Sequence, residues 1–514
     1  MDRKMMDTLL AWRSASSKKG LVISGARQVG KTFIIDELGN NHYKHYLKLD
    51  FSTNSDAKKI FEDNIDADSI FRKLMFRFPD FRIERGDSLL FLDEIQLCPD
   101  ARSSIEPLVV DGRVDVIASG SLIGTMGLKR TDENGLFLER ETWDSIEIGT
   151  IQEDGQDTVI IREKDPDDLI RETLSEGKGR ITPVGSEHVI RMYPMDFEEY
   201  LWALGLSRDQ TTQIRRHISE RMPFDGSTLD TLFTYYRQYV MIGGMPEAVR
   251  TTFENRSDGL SYMDIQRNIV NGYREDVLRY APERIRIRTL KCMEAIPRRL
   301  GQTKKKFVYK DIENKENTGW REYMDPISWI DSAGIVSPCC NLSEPAMPLD
   351  GHTSRDFKLY MGDTGLLLAC MDNGVRMAFS NGDHSINRGG ITENAVANMI
   401  ERCGLNLFYF GRNKVLENNT TDRIEVDFIA DFDGAMAAIE VKSGNSRRSS
   451  SLNKLRTDPR YSMYDISRFI KLEPSNIHVD ENGVEHYPLF AAAFMDSMFT
   501  PREPEFQRGL PLDL

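Results

Sequence analysis

The sequence predicts an α/β chain organised on a parallel sheet, and three stretches carry that prediction. Gly25-Ala26-Arg27-Gln28-Val29-Gly30-Lys31-Thr32 fits G-x-x-x-x-G-K-[ST]. It lies between an apolar run, Leu21-Val22-Ile23, and a helical pattern, Thr32–Leu38, that stops at Gly39. A second apolar run, Leu89–Leu92, ends in Asp93-Glu94, and a further strand pattern, Val114–Ala118, ends in Ser119-Gly120-Ser121. Short apolar runs ending in polar residues suit buried parallel strands whose C-terminal ends line a ligand site.

A glycine loop between a strand and a helix N-terminus gathers several backbone N–H groups around one anion, and the helix dipole adds to their field. Gly25, Ala26, Arg27, Gln28, Val29 and Gly30 would wrap a phosphate chain. Lys31 would reach the β- and γ-phosphates, and Thr32 would ligate Mg²⁺. The bland alternative is a glycine turn before a core helix. Asp93 would hold the same Mg²⁺ through water or through Thr32, and Glu94 would polarise the attacking water. Ser119 or Ser121 would act as a sensor of the γ-phosphate or the water, or simply end a strand. The expected ligand is ATP with Mg²⁺.

At 514 residues the chain is too long for one core and should hold three or four domains. Its net charge of −14 argues against nucleic-acid binding by bulk charge, though not against a local basic patch. Six scattered cysteines without a C-x-x-C, and eight histidines with no ligand spacing to them, argue against a zinc site or disulfide framework. The start leads into no signal-type apolar core, and runs such as Gly365–Met371 are too short to span a bilayer. The expectation is a soluble cytoplasmic protein with no membrane partner.

Taken in order, residues 1–20 read as a helix beside the core, Tyr46–Phe51 as a second strand, and 56–85 as charged and helical. An acidic insertion follows at about 125–185, with a β-hairpin at Ser145–Ile151 and Thr158–Ile161 and a helix at Pro166–Ser175. Val189–Met195 reads as a strand leading into a helix capped at Asp196, which closes a nucleotide core of residues 1–205. Residues 206–275 are mostly helical, broken at Gly243-Gly244-Met245-Pro246, and would form a lid that follows nucleotide state or simply pack. Between Arg279 and Lys310 eleven Lys/Arg face two acids. With Phe307–Ile312 and Met324–Gly334 after it, this suggests a winged helix over 276–370 that holds DNA phosphates. A solvated basic face, or a clamp on acidic parts of the chain, is the other reading.

Residues 371–514 hold the last constellation. Ile391–Ile400 reads as an amphipathic helix and Leu405–Phe410 as a strand. Glu425–Ala430 and Ala437–Lys442 form a hairpin turning near Asp433-Gly434. Alternation puts Glu440 and Lys442 on one face, which Asp427 can reach from the neighbouring strand. Asp427 and Glu440 would hold a divalent metal, with Lys442 stabilising hydroxide or phosphorane charge and Glu393 completing a nuclease-type site from the helix. A solvated strand face is the plain alternative. Ser443–Ser451 reads as a flexible basic loop, and the tail from Pro501 as extended.

Together these residues resemble prokaryotic AAA-type P-loop ATPases with a C-terminal domain of unknown function related to the PD-(D/E)XK nucleases. The resemblance rests on Gly25–Thr32, Leu92–Gln96, Tyr193–Glu199, Gly243–Val249, Lys358–Leu367 and the Glu393/Asp427/Glu440/Lys442 set. It implies an ATPase core, helical lid, winged helix and α/β nuclease-like domain. The chain is then an ATP hydrolase coupled to DNA binding or to the nuclease-like domain. The alternative is a nucleotide-dependent switch binding DNA or a protein partner, with an inactive nuclease-like domain. No segment is identified as an arginine finger, so an oligomer with a shared site stays open.

Overall fold

The computed structural model describes residues 1–15, 18–121, 146–153, 156–163, 187–253, 260–302, 305–307, 312, 321–380, 388–415, 421–432, 434–444 and 450–499. The helix expected at Pro166–Ser175 and the tail from Pro501 lie outside them. So do most of the Phe307–Ile312 strand, most of the Ser443–Ser451 loop, and Asp433 of the hairpin turn. The chain divides into two compact units. One comprises Arg3–Tyr193 and Trp320–Gly334, the other Met1–Asp2, Pro194–Gly319 and Ile335–Leu514.

The first unit is built on five parallel strands: β1 (Gly20–Ser24), β2 (His45–Asp50), β3 (Ser88–Asp93), β4 (Asp115–Gly120) and β7 (Glu187–Arg191), in the order β2-β3-β4-β1-β7. β3 is buried along its whole length, which is why Leu89–Leu92 shows no alternation. The core on one side gathers Val22, Leu49, Leu90 and Leu92 against Ile70, Phe71 and Leu74. Residues 56–85 are less helical than their charge pattern suggests, giving a short 3₁₀ turn at Ser55–Ile60 and one helix at Ala67–Arg77. The insertion carries the expected hairpin as β5 (Ile146–Glu153) paired antiparallel with β6 (Gln156–Glu163).

The second unit joins a group of helices to an eight-stranded mixed sheet. Its strands are β8 (Val336–Leu342), β9 (Thr353–Met361), β10 (Phe408–Val415), β11 (Thr421–Phe432), β12 (Ala435–Val441), β13 (Ile466–Glu473), β14 (His478–Val479) and β15 (Glu485–Pro488). The order is β14-β15-β13-β12-β11-β10-β8-β9. The helices of 206–275 belong to this unit rather than to the one with the glycine loop. Asp196 opens the first helix, Phe197–Ala203, with a full capping box, as its spacing from Glu199 predicts.

The 276–370 range is not one separate body. Helix Arg321–Ser332 groups with the first unit. β8 pairs parallel with β10 and antiparallel with β9, so these two strands of the range belong to the C-terminal sheet. The eight-stranded sheet thus takes its first strand from before residue 371, at Val336. Local pattern gives strands but not which sheet they join. The basic stretch itself is mostly one helix, Glu283–Leu300.

Helix Arg388–Arg402 is also more buried than its pattern suggests, with every residue from Gly390 to Ile400 inside. It tolerates polar residues because they are hydrogen-bonded. Asn394 accepts from the Met361 N–H at 2.8 Å, and Asn398 donates to the Met361 carbonyl at 2.8 Å. Asp363 accepts from Gly244 N–H at 2.6 Å and from Leu366 N–H at 3.1 Å. Arg402 reaches the carbonyls of Met195 at 2.9 Å and Gly362 at 3.1 Å. A Cβ on Gly244 would run into the Met195 carbonyl. The segments Tyr193–Glu199, Gly243–Val249 and Lys358–Leu367 therefore meet through one buried polar network from Met195 onward.

Candidate functional site: a phosphate loop and a lysine-bound carboxylate cluster

The glycine loop leaves β1 and enters helix Lys31–His42. Gly25 has φ +145° and Gly30 φ +98°, backbone that other residues rarely adopt. A Cβ on Gly25 would strike the Met192 carbonyl just beyond β7, so this position needs glycine for space as well as conformation. Arg3, largely buried, braces the loop from outside by donating to the Val29 carbonyl at 2.9 Å and the Tyr193 carbonyl at 2.8 Å. Lys31 is 6% exposed and folds its ammonium back onto the carbonyls of Gly25 and Ala26, both at 2.8 Å. Arg27 and Gln28 are exposed on the loop, Gln28 with φ +67°.

Asp93 ends β3 beside the start of that helix. Thr32 Oγ1 lies 3.1 Å from its Oδ2, and the buried Ser119 hydroxyl at the end of β4 donates to its Oδ1. Ser119 thus holds Asp93, while Ser121 lies just past β4 with no hydrogen bond seen among the described residues. Lys48, which the motifs do not single out, sits on β2 with its ammonium 3.3 Å from Asp93 and 3.3 Å from Asp36. Its signal is its place on the strand paired with β3, two residues before Asp50, the register partner of Asp93. Glu94 turns into the left-handed region at φ 55° and ψ 47°, a strained conformation of the kind found at functional positions. Burial pushes its carboxyl above the usual range, and Gln96 donates to it at 2.5 Å. The glycine cradle, Lys31 inside it and the Thr32–Asp93 pair fit a nucleotide phosphate chain and Mg²⁺.

In the second unit the structure brings Glu393, Asp427, Glu440 and Lys442 together, with a different centre from the one their pattern suggests. Lys358 on β9, 1% exposed, points its ammonium to Glu393 Oε1 at 3.0 Å, Glu425 Oε1 at 3.1 Å and Asp427 Oδ1 at 3.9 Å. The Tyr409 ring centre lies 4.7 Å from it. Tyr360 donates to Glu393 Oε1 at 2.5 Å, and Lys305 pairs with Glu393 Oε2. Burial alone would raise the Glu393 carboxyl, but Lys305 and Lys358 outweigh it and hold it at about 2. Asp427 is pushed up to about 6 by burial and by Glu393, and accepts from the Val441 N–H at 2.9 Å. Lys442 pairs with Glu440 Oε1 at 2.5 Å, while the buried Glu440 Oε2 has no hydrogen bond.

This set does not fit a divalent metal. Among the described residues no three His, Cys, Asp or Glu side chains form a group that could hold one. Both oxygens of Glu393, and one of Glu440, already carry ammonium groups. Lys358, Tyr360 and Lys305 escaped the sequence reading as members of this cluster. The only signal was period two on β9, which turns Lys358 and Tyr360 to one face. No helix among the described residues is long and apolar enough to cross a membrane.

Comparison with known proteins agrees with the first half of this picture. Residues 17–134 match the family model of an AAA domain. Residues 233–376 and 388–488 match two domains of unknown function, DUF8612 and DUF4143. No curated protein matches the chain. Among solved structures it is similar to the Walker-type ATPase PABY2304 of Pyrococcus abyssi, at 11% identity over 72% of this chain and 95% of that one, with TM-score 0.36. It is also similar to the Aeropyrum pernix ORC1 protein in complex with DNA, at 10% identity over 76% and 91%, TM-score 0.25. Protein VC1899 from Vibrio cholerae follows at 9% identity over 93% and 96%, TM-score 0.19. At these values the structural likenesses are distant. Residues 17–134, which hold the glycine loop, are thus similar to an AAA domain, and the strands they contribute belong to a parallel α/β sheet.

Proposed function

We propose that the chain binds ATP with Mg²⁺ and hydrolyses it, and that nucleotide state switches what its second unit binds. The observation that carries this reading is the approach of Thr32 Oγ1 to Asp93 Oδ2 at 3.1 Å beneath a glycine loop that holds Lys31. Lys31 exchanges its two loop carbonyls for phosphate oxygens, a charge-assisted contact stronger than the ones it leaves. Thr32 and Asp93 would hold Mg²⁺, which supplies charge neutralisation on the phosphate oxygens. Ser119 and Lys48 fix the Asp93 carboxylate from two further sides. Glu94, with its raised proton affinity, takes the proton of the attacking water. Ser121 is the remaining candidate for a γ-phosphate sensor.

For the output, the reading as a switch with a non-cleaving C-terminal domain is favoured over a nuclease. The reason is that Glu393 is bound by Lys358 and Lys305. The basic helix Glu283–Leu300 supports DNA as the partner through phosphate contacts, with a protein partner as the other outcome. ATP turnover by the purified chain, with and without double- and single-stranded DNA and against Glu94→Gln, tests both parts. Turnover raised by DNA supports DNA as partner; turnover indifferent to DNA points to a protein; no turnover above the Glu94→Gln control rejects hydrolysis.

A further inference from the structure

The carboxylate cluster of the C-terminal sheet has the acids of a metal site and the charges of something else. We propose that the Lys358 ammonium is the permanent cation of the Glu393–Glu425–Asp427 cluster and occupies the place a divalent metal would need. The ammonium lies 3.0, 3.1 and 3.9 Å from those three carboxylates and 4.7 Å from the centre of the Tyr409 ring. Three acids and an aromatic face are what a buried cation requires. A metal bound to the same oxygens would sit at about 2.0–2.6 Å from them, beside an ammonium of like charge with almost no access to water.

Most of the remaining carboxylate oxygens are engaged as well, Glu425 through its Oε1 on Lys358. Glu393 Oε1 also accepts from Tyr360, and its Oε2 is paired with Lys305. Asp427 Oδ2 accepts from the Val441 N–H. Glu440 has one oxygen on Lys442 and one buried oxygen without a hydrogen bond, and a single oxygen is too few for Mg²⁺ or Mn²⁺. The lysine comes from β9, not from the β11–β12 hairpin that carries Asp427 and Glu440. It therefore ties the far edge of the sheet to the acids and to helix Arg388–Arg402, a role that a removable metal would perform less permanently.

The test is Mn²⁺ binding to the full chain without nucleotide, followed by electron paramagnetic resonance. The unaltered chain should show no stoichiometric Mn²⁺ uptake that Asp427→Asn removes. Lys358→Ala, which leaves the acids and opens the space, should gain one Mn²⁺ per chain, lost again when Asp427→Asn is added. Stoichiometric uptake by the unaltered chain that disappears in Asp427→Asn would overturn the proposal, as would a folded Lys358→Ala chain that takes up none. Should Lys358→Ala fail to fold by circular dichroism, the comparison of the unaltered chain with Asp427→Asn decides alone.

Discussion

Thr32 and Asp93 lie on consecutive motifs of the chain and meet with Oγ1 and Oδ2 3.1 Å apart, at the C-terminal edge of the first sheet. The parallel order β3-β4-β1 sets this meeting, because it brings the ends of β1 and β3 to the same edge with one strand between them. What each residue near this pair contributes can be separated by substitution.

Lys31→Ala should weaken ATP binding about 10–100-fold, the loss of one charge-assisted hydrogen bond set. Titration calorimetry reads this directly. Unchanged affinity would remove the loop from the nucleotide site.

Glu94→Gln should bind ATP about as well as the unaltered chain and turn it over about 10²–10³-fold more slowly, the usual worth of a general base. Gln also keeps a partner for Gln96. A variant that loses binding and turnover together would make Glu94 a structural residue of the turn.

Gly25→Ala should cost about 2–4 kcal/mol of stability in the first unit, from the φ of +145° and the clash with the Met192 carbonyl. Differential scanning calorimetry checks it. An unchanged unfolding temperature would mean that β7 yields easily.

Asp427→Asn should stabilise the second unit at neutral pH and have little effect at pH 3. A carboxyl raised from 3.8 to about 6 in the fold binds its proton more tightly there than in the unfolded chain. The folded state is therefore penalised as pH rises through that interval, fully so above about pH 6. Removing the charge should return about 1–3 kcal/mol at pH 8. Glu393 has the opposite sign: held at about 2, below its usual 4.5, it stabilises above pH 4.5 and loses that contribution as pH falls toward 2. Urea unfolding across pH 3–8 separates the two.

Much of the first unit was legible because its signals are local. A strand, a glycine loop and a helix are contiguous, and the acids at the end of β3 follow an unbroken apolar run. The glycine loop and, in the second unit, the cap at Asp196 are backbone requirements written in adjacent residues. Lys48 and Arg3 were not legible, since an isolated cation carries no mark of the acid or carbonyl it will meet. The strands β8 and β9 were not legible at all: β8 pairs with β10 and β9 with β8, and such long-range register leaves no mark in the local pattern.

The sequence by itself determined the glycine loop and the acids around it: which residues line the loop, which acid ends β3, and which four residues would gather at the C-terminal sheet. Tertiary structure decided what fills that gathering. Glu393, Asp427 and Glu440 are acids in any reading of the chain, and only folding brings Lys358 from β9 and Lys305 from outside the sheet strands among them. Charge in a low-dielectric interior must be matched within a few ångströms. The match here comes from distant parts of the sequence, and no local pattern announces it.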